Sequence, residues 1–358
     1  MSAKEFAKRV EVIRRLLVDR SLYGVILVEE ASVNWLYQGH YHIGIATHIA
    51  CVEVLVTSND VEVLVNSIEV ERLQREEHLV GDRLIIYPWY DESLRNGTKT
   101  RWLSLQNVVE EQTIKEDIAS LRYVLTGASL QAVRTLGQET ALAIEEVCQQ
   151  LRSGQTENEV AGLVAKACLR RGIEPIVNLI ASASRAVCYR HGTPTNQKLG
   201  EYAILSVGAR RHGLTVSMTR MIFFGKVPDL WRQRYEAVLR VHASLLKASQ
   251  IGQTLGEAFQ EGVAAYAKVG YPQEWKQHHQ GGIAGYLSRE KKAVADTSLR
   301  LQAGMVVAWN PTIQGVKAED TYLIEAQGNV NLTAPVKWPT IVVEEGGQQF
   351  VFPDILVR

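Results

Sequence analysis

The chain shows no excess of charge of either sign: 39 basic and 39 acidic residues cancel over 358 residues. It has no Lys/Arg run and no basic aromatic stripe, which argues against a nucleic-acid or acidic membrane-surface partner. No apolar run reaches the roughly 20 residues a spanning helix needs. Cysteine is scarce: Cys51, Cys148, Cys168 and Cys188 are scattered, lack CxxC spacing and fall mostly on apolar faces. That argues against a disulfide framework and fits reduced thiols in a cytoplasmic protein. Low-complexity segments are absent. So are HExxH, a carboxylate cluster and any Cys/His spacing that would mark a metal site. The N-terminus MSAKEFAKRVEVIRRLL reads as an amphipathic helix with Phe6, Val10, Ile13 and Leu17 on one face. It lacks the apolar core and cleavage site of a signal peptide.

What the chain does have is a repeated phrase, GQTENE at 154–159 and GQTLGE at 252–257. In each copy a Thr (Thr156, Thr254) stands three residues before a Glu (Glu159, Glu257). The hydroxyl can then cap the third backbone N–H while the carboxylate reaches back to the Thr N–H. The flanking residues predict helix pairs, 139–152 with 160–172 and 235–249 with 259–270. After each pair come a His-bearing loop and strands, including 202–207 and 305–309. Two such units make a pseudo-two-fold domain, with a site where the halves meet.

Residues 1–125 have a different texture. Strand-like runs at 24–28, 51–56, 61–65 and 84–87 alternate with helical segments at 4–18, 68–77 and 101–112. They predict a small α/β domain with a mixed sheet. The boundary is placed near residue 125, so that 126–358 forms the second domain.

Histidine is the obvious acid or base near neutral pH and the commonest metal ligand. The chain offers His40, His42 and His48 early, His191 and His212 in the first half-repeat, and His278–His279 in the second. Four phrases place them in a familiar order: RHGTPTNQKL (190–199), LSVGARRHGLTVSMTR (205–220), HHQGGIAGY (278–286) and GMVVAWNPTIQGVKAEDTYLI (304–324). On these, residues 130–333 resemble the pita-bread superfamily of aminopeptidase P, prolidase, methionine aminopeptidase and creatinase. Residues 1–125 resemble the creatinase-type N-terminal domain.

The resemblance implies an α/β (α+β) architecture with a C-terminal pita-bread domain of internal pseudo-two-fold symmetry. It also implies two divalent ions held by two Asp, one His and two Glu. Those positions fall here at Ser206, Ser217, Gly282, Asn310 and Glu319, and only the last is a family ligand. Hard ions need several oxygen ligands, and bridging a pair takes carboxylates. The expectation is therefore a member without metals or other cofactors, a metal-independent, creatinase-like hydrolase of a C–N bond in a small polar nitrogen-containing compound. Its alternatives are an Xaa-Pro aminopeptidase or dipeptidase-type metallopeptidase and a catalytically silent binding protein on the same fold.

Site roles follow from the resemblance and from residue chemistry. His191, before the first metal-position strand, is the expected general acid and base. Glu319 would grip a cationic or amide N–H group or orient His191, and Asn310 and Ser217 would donate to a developing oxyanion. Arg190, Ser206, Arg220, His278, His279, Gln280, Tyr286 and Arg289 complete a polar set expected to bind substrate, although a structural salt bridge is the favoured role for Arg220. In NWLYQGHYHIGIATH (34–48), an expected loop, Trp35, His40 and His42, with Tyr37 and Tyr41, are candidate specificity residues. The creatinase branch supplies such residues across a homodimer, and a packed interface is the equal alternative for them.

Overall fold

Both Thr-x-x-Glu phrases start helices. In the computed structural model, which describes residues 2–358, Thr156 Oγ1 accepts from the Glu159 N–H at 3.1 Å, and the Glu159 carboxylate accepts from the Thr156 N–H at 2.6 Å. Thr254 and Glu257 repeat the reciprocal pair at 3.1 and 2.7 Å.

The chain forms two compact units, one running to Tyr123 and the other spanning Val124–Arg358. The first holds α1 (Ala3–Asp19), β1 (Gly24–Glu29), α2 (Glu30–Tyr37), β2 (Ile49–Thr57), β3 (Val61–Asn66), α3 (Val70–Glu76), β4 (Arg83–Tyr87), α4 (Ser93–Ser104), β5 (Val108–Glu110) and α5 (Lys115–Ser120). Its sheet runs β4-β3-β2-β1-β5 and is mixed: β1–β2 and β2–β3 are antiparallel, β3–β4 and β1–β5 parallel. Val10, Ile13 and Leu17 are the buried apolar face of α1, and Ile26, Leu55, Leu64, Trp102 and Val108 form a core cluster.

Two local expectations fail here. The helix expected over 101–112 is instead the end of α4, because Asn107 turns left-handed (φ 59°) and the chain re-enters the sheet as β5. The loop expected over 34–48 is helical as far as Tyr37, where Gln38 (φ 53°) ends α2.

The second unit begins with α6 (Gly127–Cys148) and α7 (Glu157–Leu169), followed by β6 (Glu174–Ser182), α8 (Ala183–Cys188), β7 (Tyr202–Arg211) and β8 (Leu214–Phe223). Then come α9 (Asp229–Ala248), α10 (Leu255–Lys268), β9 (Gly281–Ala284), β10 (Lys291–Lys292), β11 (Val306–Trp309), β12 (Thr312–Ile313) and β13 (Val316–Lys317). β14 (Asp320–Glu325), β15 (Gly328–Asn331), β16 (Thr340–Glu345), β17 (Gln348–Pro353) and β18 (Leu356–Val357) complete the chain. One sheet runs β18-β8-β7-β6 and a second runs β10-β9-β11-β14-β15, so each half-repeat supplies the main strands of one sheet, and the C-terminal β18 joins the first. Every residue of β8 is buried, as expected for a strand covered on both faces.

Candidate functional site

The two sheets are stitched together along β8. The Ser217 N–H donates to Thr321 Oγ1 at 2.8 Å, Thr321 Oγ1 donates back to the Ser217 carbonyl at 2.8 Å, and the Thr219 N–H donates to the Glu319 carbonyl at 2.9 Å. Those bonds bring Ser206 on β7, Ser217 on β8, Asn310 just beyond β11 and Glu319 just before β14 to one cavity of about 110 Å³. His191, His279, Arg289 and Lys317 also line it, with Val177, Leu179, Val207, Gly208 and Ser288 as the remaining wall.

Glu319 is the centre. Its Oε2 accepts from Lys317 Nζ at 2.9 Å and from Thr219 Oγ1 at 2.7 Å, and its Oε1 accepts from Arg289 Nη2 at 3.1 Å. Asn310 Nδ2 lies 3.5 Å from Oε1. Burial alone would raise this carboxyl, but Lys317 and then Arg289 outweigh it and hold it down at about 2. Lys317 Nζ also lies 3.3 Å from Ser206 Oγ, whose hydroxyl shares a 2.7 Å bond with Thr219 Oγ1. Arg289 Nη1 reaches Ser217 Oγ at 3.4 Å.

Beside this network three imidazoles cluster. His278 Nε2 lies 2.9 Å from His191 Nε2, and the His278 and His279 rings stack with centroids 4.5 Å apart. Burial, reinforced by the positive charge of Lys317, pushes His191 down and His278 to about 2; burial and Arg289 push His279 to about 4. All three are held below the ordinary imidazole value, and the His191–His278 contact requires one of its two Nε2 atoms to carry the proton and the other to accept it. Among the described residues, one nitrogen from each lies within 4.8 Å of the others, a set able to take a transition metal. No motif spacing in the sequence marked it, because 87 residues separate His191 from His278.

The structure gathers His191, Ser206, Ser217, His279, Arg289, Asn310 and Glu319 at the cavity, and places His278 directly behind His191. Arg220 takes the structural role favoured for it: buried in an ion pair with Asp320 at 3.0 Å, it donates to the Thr333 carbonyl at 2.7 Å. Three other expected substrate contacts are corrected. Gln280 is used up by Tyr266 Oη and by the carbonyls of His278 and Trp275. Tyr286 Oη shares a bond with Ser129 Oγ at 3.1 Å, away from the cavity. Arg190 pairs with Glu274.

In the first unit Trp35, Tyr37, Tyr41 and His42 are buried, His42 against Glu30 at 2.6 Å and the His40 ring stacked on it at 3.9 Å. Trp35 is 6% and His42 2% exposed, which leaves neither an open face for a ligand.

Lys317 belongs to the polar residues that the sequence places around the expected pocket, but the sequence gives it no catalytic or binding role. Its spacing from Glu319, two residues along an extended segment, was the available signal, since such residues share a face.

A Cβ on Gly282 would sit 2.0 Å from the Lys291 carbonyl oxygen, and its φ of +148° disfavours any side chain; Gly281 is closed in the same way by the Ala308 carbonyl at 2.1 Å. A larger crevice, about 720 Å³, lies beside β15 and the β16–β17 hairpin with Lys247 and Glu325 as its charged residues, far poorer in titratable groups than the His191 cavity.

The model of metallopeptidase family M24 matches residues 131–326, a span that encloses the cavity. The Xaa-Pro dipeptidase of Pyrococcus horikoshii is 22% identical over 347 residues, covering 91% of this chain and 97% of that protein. Among solved structures, the Xaa-Pro dipeptidase from Bacillus anthracis superposes with a TM-score of 0.80 at 19% identity, over 99% of this chain and 100% of that one. The N-terminal domain of FACT complex subunit SPT16 from Cicer arietinum superposes with a TM-score of 0.75 at 13% identity, over 94% of this chain and 97% of that one, and so shares the fold. The expectation of a metal-independent, creatinase-like hydrolase is overturned by the family match and by the dipeptidase relatives; they favour its peptidase alternative. No helix of the described residues is long and apolar enough to cross a membrane.

Proposed function

The chain belongs to metallopeptidase family M24, and on that premise we propose that it is a hydrolase of short peptides of the Xaa-Pro dipeptidase kind. The observation that carries the proposal is coverage: the Pyrococcus dipeptidase aligns over 97% of its own length, with the cavity of His191 and Glu319 inside the matched span. His191 lies at the cavity wall and shares a 2.9 Å bond between its Nε2 and His278 Nε2, a pair that can hold or move a proton between the two rings. Asn310 and Ser217 offer neutral donors beside it. A homodimer in the cytoplasm is part of the same proposal, and sedimentation equilibrium tests the dimer.

The two-ion centre of the family does not fit these residues. Ser206 and Ser217 are hydroxyls already bonded to Thr219 and Arg289, Gly282 has no room for a side chain, and both oxygens of Glu319 already accept from cations. Any ion would have to use the three imidazoles instead. The saturation of Glu319 by Lys317 and Arg289 favours a second reading, a member that binds dipeptide-like ligands without cleaving them.

One experiment separates the two. Gly-Pro and Ala-Pro are incubated with chelator-dialysed protein and with protein loaded with manganese, cobalt or zinc, and free proline is measured. Proline release that falls at least 100-fold in His191→Ala supports the hydrolase, since positioned acid–base groups contribute about 10²–10⁴-fold. No release in any condition, with dipeptide binding retained by calorimetry, supports the binding protein. Neither release nor binding overturns both.

A further inference from the structure

Three imidazoles meet where the two half-repeats pack: His191 from the loop after α8, and His278 and His279 from the segment before β9. One ring nitrogen from each lies within 4.8 Å of the others, and the Nε2 atoms of His191 and His278 are 2.9 Å apart. His191 is exposed, His279 half-buried and His278 buried, so the cluster reaches from solvent into the interior.

Two of these rings have a nitrogen without a partner. Nδ1 of His278 and Nδ1 of His279 are buried and make no hydrogen bond, and His278 as a whole is only 8% exposed. Buried polar atoms are normally paired, so two orphan nitrogens in one cluster point to a partner that the chain itself does not supply. Each neutral ring keeps one lone pair whichever tautomer it adopts, which is what a metal ion needs from it.

The spacing suits an ion. Zinc bonds imidazole nitrogen at about 2.0–2.1 Å, and a tetrahedral arrangement holds the nitrogens about 3.3 Å apart. Rotation of the side chains by at most about 1.5 Å closes the cluster to that spacing. Imidazole suits zinc, copper and nickel, whereas manganese prefers oxygen ligands. None of the three histidines stands at Ser206, Ser217, Gly282, Asn310 or Glu319, the positions that correspond to the family's two-ion ligands.

We propose that His191, His278 and His279 form a binding site for a single transition-metal ion of the zinc class, separate from the two-ion positions of the family. Three protein ligands leave a fourth position open, the pattern of zinc sites that also take a water or a substrate. His191 and His279 line the cavity, so that position adjoins it. Lys317 and Arg289 line it too and oppose a dication, which keeps the affinity below that of a closed four-ligand site. The assignment stands on the imidazoles and does not rest on the dipeptide reading.

The test is calorimetric titration of the chelator-dialysed full chain with zinc chloride and with manganese chloride, no peptide being present. Zinc should bind at one ion per chain and at least tenfold more tightly than manganese. His278→Phe and His279→Phe keep a ring in place and remove the ligand, and each should weaken zinc at least tenfold. Cobalt should give the strong visible absorption of a four-coordinate site, lost on adding one equivalent of zinc. No zinc binding, two ions per chain, a preference for manganese, or a zinc affinity that either substitution leaves unchanged overturns the site. Thermal melts check the variants; if neither folds, the wild-type stoichiometry and cobalt spectrum still decide. Failure to release proline from Gly-Pro would sink the hydrolase reading and leave this site standing, whereas absence of bound zinc sinks the site alone.

Discussion

Lys317 Nζ lies 2.9 Å from Glu319 Oε2, two residues away along the chain, with both side chains almost wholly buried. Arg289 closes on the other oxygen at 3.1 Å. A carboxylate held this way joins β8, β13 and the 285–290 turn through one charge, and its loss would leave two cations facing each other.

Glu319→Gln should therefore destabilise the second unit by about 3–5 kcal/mol, the usual result of removing one partner from a buried ion pair, and lower its melting temperature by roughly 10 °C. The sign with pH is fixed. The unfolded carboxyl protonates near its ordinary 4.5 and the folded one only at about 2, so the stabilisation is complete above 4.5 and is lost as pH falls toward 2. Denaturant unfolding of wild type and variant should show a gap that is constant above pH 5 and closes below 4. A gap that ignores pH would mean that packing, and not charge, set it.

His242 on α9 is wholly buried against Phe352 and Tyr322, with ring centroids 5.0 and 5.6 Å away, and neither ring nitrogen has a hydrogen-bond partner. Burial pushes it to about 3. The unfolded imidazole takes up its proton near 6.5, so this residue's contribution is present above pH 6.5 and is lost as pH falls toward 3, by at most about 1.4 kcal/mol per pH unit. His242→Leu should flatten the acid limb of stability by that slope between pH 6 and 4. An unchanged slope would show that the ring is hydrated or partnered in solution.

Gly282→Ala should cost about 3 kcal/mol, combining a disfavoured backbone region with a Cβ driven 2.0 Å from the Lys291 carbonyl oxygen. Gly162→Ala is the control: a Cβ in the middle of α7 meets nothing within 4 Å, and removing a helical glycine should stabilise by about 0.5–1 kcal/mol. Equilibrium unfolding in urea reads both. A neutral Gly282→Ala would mean that the β9–β10 pairing is looser than its geometry.

The amino-acid sequence by itself determined the repeat, the two capping boxes and the alternation of strands and helices, because each depends on residues within a few positions of one another. Thr156 needs only Glu159 three residues on, and β2 needs only its own apolar pattern. Its phrases also pointed to the pita-bread superfamily, while the same phrases misdirected the expected chemistry toward creatinase. Tertiary structure alone decided what the polar residues do. Arg220 and Arg289 are both Arg in a polar phrase, yet one is spent on Asp320 and Thr333 inside the fold and the other faces Glu319 at the cavity. The imidazoles of His191 and His278 meet only because the half-repeats pack together, and the positive charge of the cavity exists only because Lys317 and Arg289 converge from different elements on one acid. Coulomb energy and desolvation depend on distance through space and on burial, and neither quantity is written in the spacing of residues along a chain.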